Sequence, residues 1–236
     1  MADESGATAV PEQGAAVAAV FGGRVGTARR FVEHLATTGV TRGLLGPCEV
    51  PRLWERHVLN CAVVEEVIPA DALVVDVGSG AGLPGIAVAI VRPDLRMHLL
   101  EPLLRRVEWL HEVVDDLGLD NVEIVRGRAE EYAGRIGADA VVARAVAPLA
   151  VLAGWCLPLL RPGGELIALK GRTAAQELAE SEVALRRAGA VGWDLQLVGE
   201  SVLEQPTTVV RVVAGGVTRA AERKRGRTRG GRGRKS

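Results

Sequence analysis

A glycine-rich segment between two apolar runs most constrains how this chain can fold. Residues 76–85 read DVGSGAGLPG, with apolar residues at 72–75 before them and at 86–91 after them. Glycine carries no Cβ, so it allows positive φ angles and close approach of the backbone to a ligand, and a proline at position 84 suits the first turn of a helix. The pattern predicts a strand, a loop and a helix, with a nucleotide-like ligand bound at the loop.

The chain around this loop alternates between apolar runs and segments with helical spacing. The apolar runs predict strands at residues 72–77, 97–100, 122–125, 138–143 and 165–169. The segments with helical spacing predict helices at residues 85–91, 103–117, 148–160 and 173–188. Strands that alternate with helices form mostly parallel sheets that are covered on both faces.

The last two apolar runs break this alternation. Residues 193–198 and 207–213 are joined by a short polar connection that contains Pro206, so we expect a hairpin instead of another helical crossover. We therefore predict the α/β fold class, with a mostly parallel seven-stranded sheet and an antiparallel C-terminal edge.

Composition shifts divide the chain into four expected parts. These are a disordered leader at 1–13, an N-terminal helical region at 14–70 that packs on the core, the α/β core at 71–214 and a basic tail at 215–236. From Val217 onward nine Arg or Lys residues oppose only Glu222, so this segment carries a charge of +8 in a chain whose formal net charge is zero. An Arg/Gly-rich disordered tail can bind RNA through phosphate attraction, and the alternative is a solubilising tail.

Composition also excludes several classes of protein. A chain of 236 residues that is 48% apolar can bury one sizeable core, and it lacks the long apolar run of a membrane span and the pattern of a secretory signal. Cys48, Cys61 and Cys156 are widely spaced, which argues for buried free thiols and against a disulfide framework or a zinc site. We expect a cytoplasmic monomer without a metal ion or a membrane partner.

The loop fits two cofactor patterns. Residues 80–85 match the dinucleotide pattern G-x-G-x-x-G, but Asp76 ends the strand just before the loop, and a carboxylate there repels pyrophosphate and suits the cationic methionyl part of S-adenosylmethionine. Glu101 ends the next strand, where it can accept the ribose hydroxyls of either cofactor. A tight turn without a ligand is the remaining alternative.

A longer series of motifs resembles one bacterial family. The string DVGSGAGLPGIAVAIVRPD is followed in order by LLEPLLRRVEWL, RGRAEEY, VARAV and ALKG, and is preceded by WERHVLNC. Over residues 48–213 this closely resembles the glucose-inhibited division protein B family, which methylates N7 of a guanine in small-subunit ribosomal RNA. The resemblance implies a class I, Rossmann-like methyltransferase fold, S-adenosyl-L-methionine as the cofactor, and 16S ribosomal RNA or the 30S particle as the partner.

The resemblance also implies where the cofactor is bound. Carried over by motif position, the expected contacts are Gly78, Leu83, Ala129, Glu130 and Arg144. The strand-end acids and the loop add three residues to this cofactor-binding set: Asp76, Gly80 and Glu101. The sequence departs from the family pattern at Asn60, Ser79, Ala81 and Val146. Many members have an aromatic residue at the position of Val146, so the residue that stacks on the target base is left open.

Guanine N7 has an in-plane lone pair and no proton, so its methylation needs alignment and not a general base. Arg144 and Lys170 both follow strands at the edge where α/β proteins bind ligands, and we take them as the catalytic candidates that orient the guanine or its phosphate. Ordinary surface charges at strand ends are the alternative. Lys170 is also a candidate for binding RNA.

A second group of cations lies upstream of the loop. Arg52, Arg56 and Asn60 repeat at helical spacing beside Trp54 and His57. We predict RNA contacts at Arg52, Arg56 and His57, and a solvated helix face with His57 in the core is an equal alternative. For the whole chain, the competing functions are a small-molecule or other RNA methyltransferase, an NAD-dependent oxidoreductase and a noncatalytic RNA-binding protein with a nucleotide pocket.

Overall fold

The computed structural model of the chain describes residues 14–215, so the expected leader and all but the first residue of the expected tail lie outside the described residues. Seven strands form one sheet in the order β3-β2-β1-β4-β5-β7-β6. The strands are β1 Leu73–Val77, β2 Arg96–Glu101, β3 Val122–Arg126, β4 Ala138–Arg144, β5 Leu160–Lys170, β6 Ala190–Val198 and β7 Thr207–Ala214.

The first five strands pair in parallel, and β7 pairs antiparallel with both β5 and β6. The predicted α/β class and the antiparallel pair at the C-terminal end of the sheet are therefore confirmed. The hairpin places β7 inside, between β5 and β6, because the helix after β5 first carries the chain past that position.

The helices of the described residues are α1 Ala15–Phe21, α2 Val25–His34, α3 Asn60–Ala62, α4 Gly85–Val91, α5 Leu104–Leu117, α6 Leu149–Cys156 and α7 Ala174–Ala188. The N-terminal segments are helical but interrupted. Gly22 has a φ of 49° and separates α1 from α2, and Leu35–Gly39 and Leu53–Leu59 adopt the wider π-helical turn. Short 3₁₀ turns occur at Gly22–Arg24, Pro47–Arg52, Val63–Val67, Ala129–Tyr132 and Leu157–Leu159.

The central strands of the sheet are buried on both faces, and alternate strand residues face opposite sides. In β1, Val74 packs with the N-terminal helices, α4 and α5, whereas Val75 and Val77 pack with α6 and α7. A continuous apolar run such as residues 73–75 is typical of a parallel strand covered on both sides. The burial of both faces fixes the register and leaves the ends of the strands to form a site.

The N-terminal helical segments are fastened to the core by hydrogen bonds as well as by apolar packing. Trp109 in α5 donates its indole N–H to Thr38 Oγ1 at 2.9 Å. At the other end, the Thr207 hydroxyl in β7 donates to the Asn60 carbonyl at 3.2 Å. These segments therefore contact two distant parts of the α/β core.

Gly85 begins α4 at the point where this helix lies closest to the sheet. A Cβ at this position would lie 2.4 Å from Leu99 Cδ2 and 2.6 Å from Asp76 Oδ2. Both neighbours belong to buried strands, so neither has room to withdraw. A side chain here would force the helix away from β1 and β2.

We therefore expect Gly85→Ala to lower the free energy of unfolding by about 1–3 kcal/mol, because even one added methyl group overpacks this contact. Gly154→Ala is the matched control, since Gly154 lies in α6 with nothing within 4 Å of the added Cβ. Alanine should be neutral or stabilising there, by up to about 1 kcal/mol, through its helix propensity. Chemical denaturation measures both, and equal midpoints for the two variants would contradict the close packing of α4.

Candidate functional site

A cleft of about 380 Å³ opens at the carboxyl ends of β1, β2, β3 and β4. Ligands of open α/β sheets bind at this edge. The lining residues come from the ends of these strands, from the segments that follow them and from the helices α5 and α6: Val77, Gly78, Leu100, Glu101, Pro102, Leu103, Arg106, Gly127, Arg128, Ala129, Glu130, Arg144, Ala145, Val146 and Trp155.

The glycine loop forms one wall of this cleft. Gly78, Gly80 and Gly82 have φ angles of 71°, 54° and 73°, which L-residues with a side chain rarely adopt. The Gly78 N–H donates to the Leu100 carbonyl at 2.8 Å, so the loop lies against β2. A Cβ at Gly78 would lie 3.0 Å from Val146 Cγ2, which shows how closely Val146 covers this part of the loop.

Glu101 is 1% exposed, and its carboxylate is held in one orientation. One oxygen accepts the Gly80 N–H at 3.0 Å and the other accepts the Leu103 N–H at 3.0 Å. Arg106 Nη1 lies 3.6 Å from the first oxygen and neutralises part of its charge. A carboxylate has about four lone-pair positions, so these contacts leave acceptors for the two hydroxyls of a ribose.

Asp76 is fully buried beneath the same loop. Its Oδ2 accepts the Gly85 N–H at 3.0 Å, and its Oδ1 has no hydrogen-bond partner among the described residues. Burial raises the pKa of Asp76 to about 7, against the opposing effects of the Gly85 N–H and the nearby Arg144. A buried acceptor without a partner is costly, and a cationic ligand group would relieve that cost.

The far end of the cleft is more apolar. Ala129 is buried and Glu130 is exposed in the turn after β3, and both line the cleft together with Leu103 and Trp155. Sequence reasoning missed Leu103 and Trp155 as lining residues, because each lies in an apolar helical pattern that is typical of a core. Leu103 follows β2 and Trp155 lies in α6, so only the fold brings these side chains to one site.

Arg144 lines the cleft and is held from the N-terminal side. Its Nη1 donates to the His57 carbonyl at 3.3 Å and to Cys61 Sγ at 3.1 Å, and its Nη2 donates to His57 Nδ1. The other ring nitrogen of His57 contacts Glu49 Oε2 at 2.7 Å. Burial lowers the pKa of His57, and the Glu49 hydrogen bond opposes that shift.

The other strand-end cation, Lys170, has different partners. Its Nζ donates to Glu177 Oε1 at 2.8 Å and to the Ala147 carbonyl at 3.2 Å. Glu177 also accepts the Leu149 N–H at 2.6 Å, so Lys170 helps to fix the start of α6. Lys170 is not among the residues that line the cleft.

Three of the expected cofactor residues also lie outside the lining. Asp76 lies beneath the loop, Gly80 forms part of the loop and binds Glu101, and Leu83 is 7% exposed within the core cluster. The family resemblance predicts a cofactor contact at Leu83. In the structure its side chain packs in the core cluster behind the loop.

The upstream cations are only partly arranged as the spacing suggested. Arg52 and Arg56 are exposed, whereas His57 is 6% exposed and Trp54 is also buried. Asn60 is half-buried and donates to the Arg56 carbonyl at 3.3 Å. The π-helical turn changes the residues that share a face, so only the two arginines face solvent.

The described part of the chain contains no helix long and apolar enough to cross a membrane. Residues 14–215 also contain no group of three or more His, Cys, Asp or Glu side chains placed to hold a metal ion. Cys61 and Cys156 are buried free thiols as expected, but the prediction was wrong for Cys48. Cys48 is exposed because it lies in the surface turn Pro47–Arg52.

Solved methyltransferases share this fold at low sequence identity. The S-adenosylmethionine-dependent methyltransferase SibL, in its apo form, superposes with a TM-score of 0.57 and 17% identity over 84% of this chain and 70% of that protein. TYW2 of M. jannaschii in complex with AdoMet superposes with a TM-score of 0.53 and 13% identity over 66% of this chain and 74% of that protein. The expected class I methyltransferase fold is thus confirmed.

Sequence comparison is more specific. The chain is 58% identical over 194 residues to the ribosomal RNA small subunit methyltransferase G of Pseudarthrobacter chlorophenolicus. The aligned region covers 82% of this chain and 90% of the relative. It is 56% identical over 233 residues to the protein of that name in Streptomyces coelicolor, which covers 95% and 96% of the two chains. A GidB family model described as rRNA small subunit methyltransferase G matches residues 25–201. This chain therefore belongs to the rRNA small subunit methyltransferase G family.

Proposed function

We propose that this protein transfers a methyl group from S-adenosylmethionine to N7 of a guanine in small-subunit 16S ribosomal RNA, in the cytoplasm and as a monomer. The main structural support is the pair of buried carboxylates, Asp76 and Glu101, each of which accepts a backbone N–H of the glycine loop at the cleft. Family membership supports the reaction class, and the names of the relatives support ribosomal RNA as the substrate.

The residues that line the cleft, together with Asp76 beneath the loop, offer groups for each part of this cofactor. Glu101 takes the ribose hydroxyls, and the turn with Ala129 and Glu130 takes the adenine edge. The backbone of Gly78 and the carboxylate of Asp76 take the methionyl part, whose ammonium would relieve the unpartnered Oδ1. A pyrophosphate in place of that ammonium would bring two negative groups together, which disfavours a nicotinamide cofactor.

When bound, S-adenosylmethionine supplies a methyl group on a sulfonium, which reacts with an unprotonated nucleophile. The chain's own task is then to exclude water and to hold the guanine in line, and positioning of this kind can contribute about 7–11 kcal/mol in favourable systems. Arg144 at the cleft can donate to guanine O6 or to a phosphate. It must leave N7 free, so the bidentate contact to O6 and N7 seen in DNA recognition does not apply.

The RNA approaches from the side that carries exposed cations. We assign phosphate contacts to Arg52 and Arg56, which face solvent on the segment that also contains His57. Lys170 at the end of β5 is a further candidate for a phosphate contact. Its ion pair with Glu177 offsets part of its positive charge. His57 is buried, so its part in RNA binding is to support this surface and Arg144.

Mapping of the methylated base tests the proposal. Small subunits and deproteinised 16S RNA, both isolated without this modification, are incubated with the protein and methyl-labelled S-adenosylmethionine. We expect label at one guanine, on N7, and incorporation into only one of the two substrates would identify the form that is recognised. Label on an exocyclic amine or on a ring carbon would contradict the proposed chemistry.

The pKa of Asp76 makes cofactor binding depend on pH. With a pKa of about 7, roughly half of the Asp76 side chains carry a proton at pH 7 in the free protein. A bound ammonium favours the ionised form, so binding should release up to about half a proton and the affinity should rise with pH between about 6 and 8.

Calorimetric titration with S-adenosylhomocysteine in buffers of different ionisation enthalpy measures this proton release. Asp76→Asn should abolish the release and weaken binding. Asp116→Asn is the matched control, because contact with His34 lowers the pKa of Asp116, which is therefore already ionised at pH 7. Proton release that survives in Asp76→Asn would contradict the assignment.

The RNA surface is tested by removing charge without reversing it. Arg52→Gln combined with Arg56→Gln should raise KM for the RNA and reduce the slope of log affinity against log salt by about 2, one unit per lost phosphate contact. Arg29→Gln combined with Arg186→Gln changes the net charge equally at exposed sites elsewhere. If both pairs change the slope alike, the effect is one of overall charge, and the assigned contacts are wrong.

A further inference from the structure

Three residues from separate parts of the fold form a continuous hydrogen-bonded chain behind the cleft. Glu49 lies in the turn Pro47–Arg52, His57 lies in the π-helical segment Leu53–Leu59, and Arg144 ends β4. Glu49 Oε2 is 2.7 Å from His57 Nε2, and Arg144 Nη2 contacts His57 Nδ1. His57 has no other role in the cleft, since it does not line it.

The chemistry of its two partners fixes the form of the His57 ring. A guanidinium can only donate, so Nδ1 must present its lone pair to Arg144. An ionised carboxylate can only accept, so Nε2 must carry the proton that is donated to Glu49. His57 is therefore neutral and in a single tautomer. The hydrogen bond from Nε2 to Glu49 fixes the ring so that the Nδ1 lone pair points at Arg144.

The same segment holds Arg144 at two more points. The His57 carbonyl and Cys61 Sγ accept from Nη1 at 3.3 and 3.1 Å. A guanidinium has five N–H donors, so contacts on this side leave others to address the cleft. Because the planar group cannot rotate without breaking these contacts, its direction in the cleft is set by the N-terminal helical segments.

We propose that Glu49 and His57 are positioning residues for methyl transfer, and that they hold the Arg144 guanidinium in the orientation that it needs at the cleft. This inference rests on the proposed role of Arg144 at the target base. It assigns a part in the reaction to the N-terminal segments, which contribute none of the residues that line the cleft.

A proton on His57 Nδ1 would turn its attraction for the Arg144 guanidinium into repulsion. Nδ1 would then carry an N–H that faces a cation, and Arg144 would be pushed from its position. The groups that face this pair are Glu49, Arg52 and Arg56 from the N-terminal segment, Cys61 beside the guanidinium, and Asp76 from β1. Burial lowers the pKa of His57 below its ordinary value, so the neutral form persists at neutral pH, and kcat at saturating S-adenosylmethionine falls only at a pH below that ordinary value.

The decisive variants replace the ring with and without an acceptor. His57→Leu removes the acceptor and should lower kcat about tenfold or more at about pH 8, the usual cost of losing a hydrogen bond to a charged group. His57→Asn keeps an amide oxygen near the place of Nδ1 and should retain kcat within about threefold, with no acid limb because an amide does not titrate. His34→Leu is the matched control. His34 forms a similar pair with Asp116, with Nε2 and Oδ2 2.9 Å apart, and this pair does not line the cleft.

Glu49→Gln gives a second test that does not depend on the folding of a core variant, because the Glu49 side chain is partly exposed. Glu49 raises the pKa of His57. The substitution should therefore move the acid limb of the kcat profile to lower pH, and it should lower kcat at about pH 8 by less than His57→Leu does, because the amide oxygen can still accept the Nε2 proton. An acid limb that does not move would overturn the proposal.

Arg144→Gln separates this inference from the proposed function. If that variant keeps full kcat, the role of Arg144 fails and the inference fails with it. If Arg144→Gln loses activity while a folded His57→Leu keeps both its kcat and its acid limb, the positioning chain is wrong and the proposed function stands. We expect the double variant to be no worse than Arg144→Gln alone, because both changes remove one function.

Discussion

Two buried carboxylates bind the same glycine-rich loop, and the rest of the site depends on these contacts. Asp76 at the end of β1 accepts the Gly85 N–H, and Glu101 at the end of β2 accepts the Gly80 N–H, both at 3.0 Å. Together they hold the middle and the C-terminal end of the loop against neighbouring parallel strands. The loop can therefore keep positive φ angles and present its backbone to a ligand without a side chain of its own.

Burying two carboxylates beside each other has an electrostatic cost, and this cost favours a ligand with a positively charged group. Two acids lie in a buried region where charge is poorly solvated, and burial raises the pKa of Asp76 to about 7. Glu101 is compensated by two backbone N–H groups and Arg106, whereas one oxygen of Asp76 is left without a partner among residues 14–215. One acceptor of Asp76 is thus unpaired at the point where we propose that the methionyl ammonium binds, and a contact with that ammonium would remove the cost.

Much of this architecture was predictable from the sequence, because apolar runs and glycine positions are local signals. The run that predicted a strand at 122–125 became Val122–Arg126, Glu101 ends β2, and Asp76 lies one residue before the end of β1. The interruptions of the N-terminal helices were not predictable, since π-helical turns depend on tertiary packing and not on residue spacing.

The contacts across the site were harder to foresee than the elements. Arg144 and His57 are 87 positions apart, and no sequence pattern links them. Trp155 looked like a core residue, and Lys170 looked like a site residue because it ends a strand, but Glu177 engages it. Strand ends are thus identified well from sequence, whereas the direction of each long side chain is decided by its partners.

The preference of the cleft between two cofactors tests this account most directly. Calorimetric titration of the whole chain with S-adenosylhomocysteine and, separately, with NADH compares a ligand that places an ammonium near Asp76 with one that places a pyrophosphate there. The account predicts that S-adenosylhomocysteine binds more tightly, and that Glu101→Ala weakens it through loss of the ribose contacts. Tighter binding of NADH would contradict the assignment of the site.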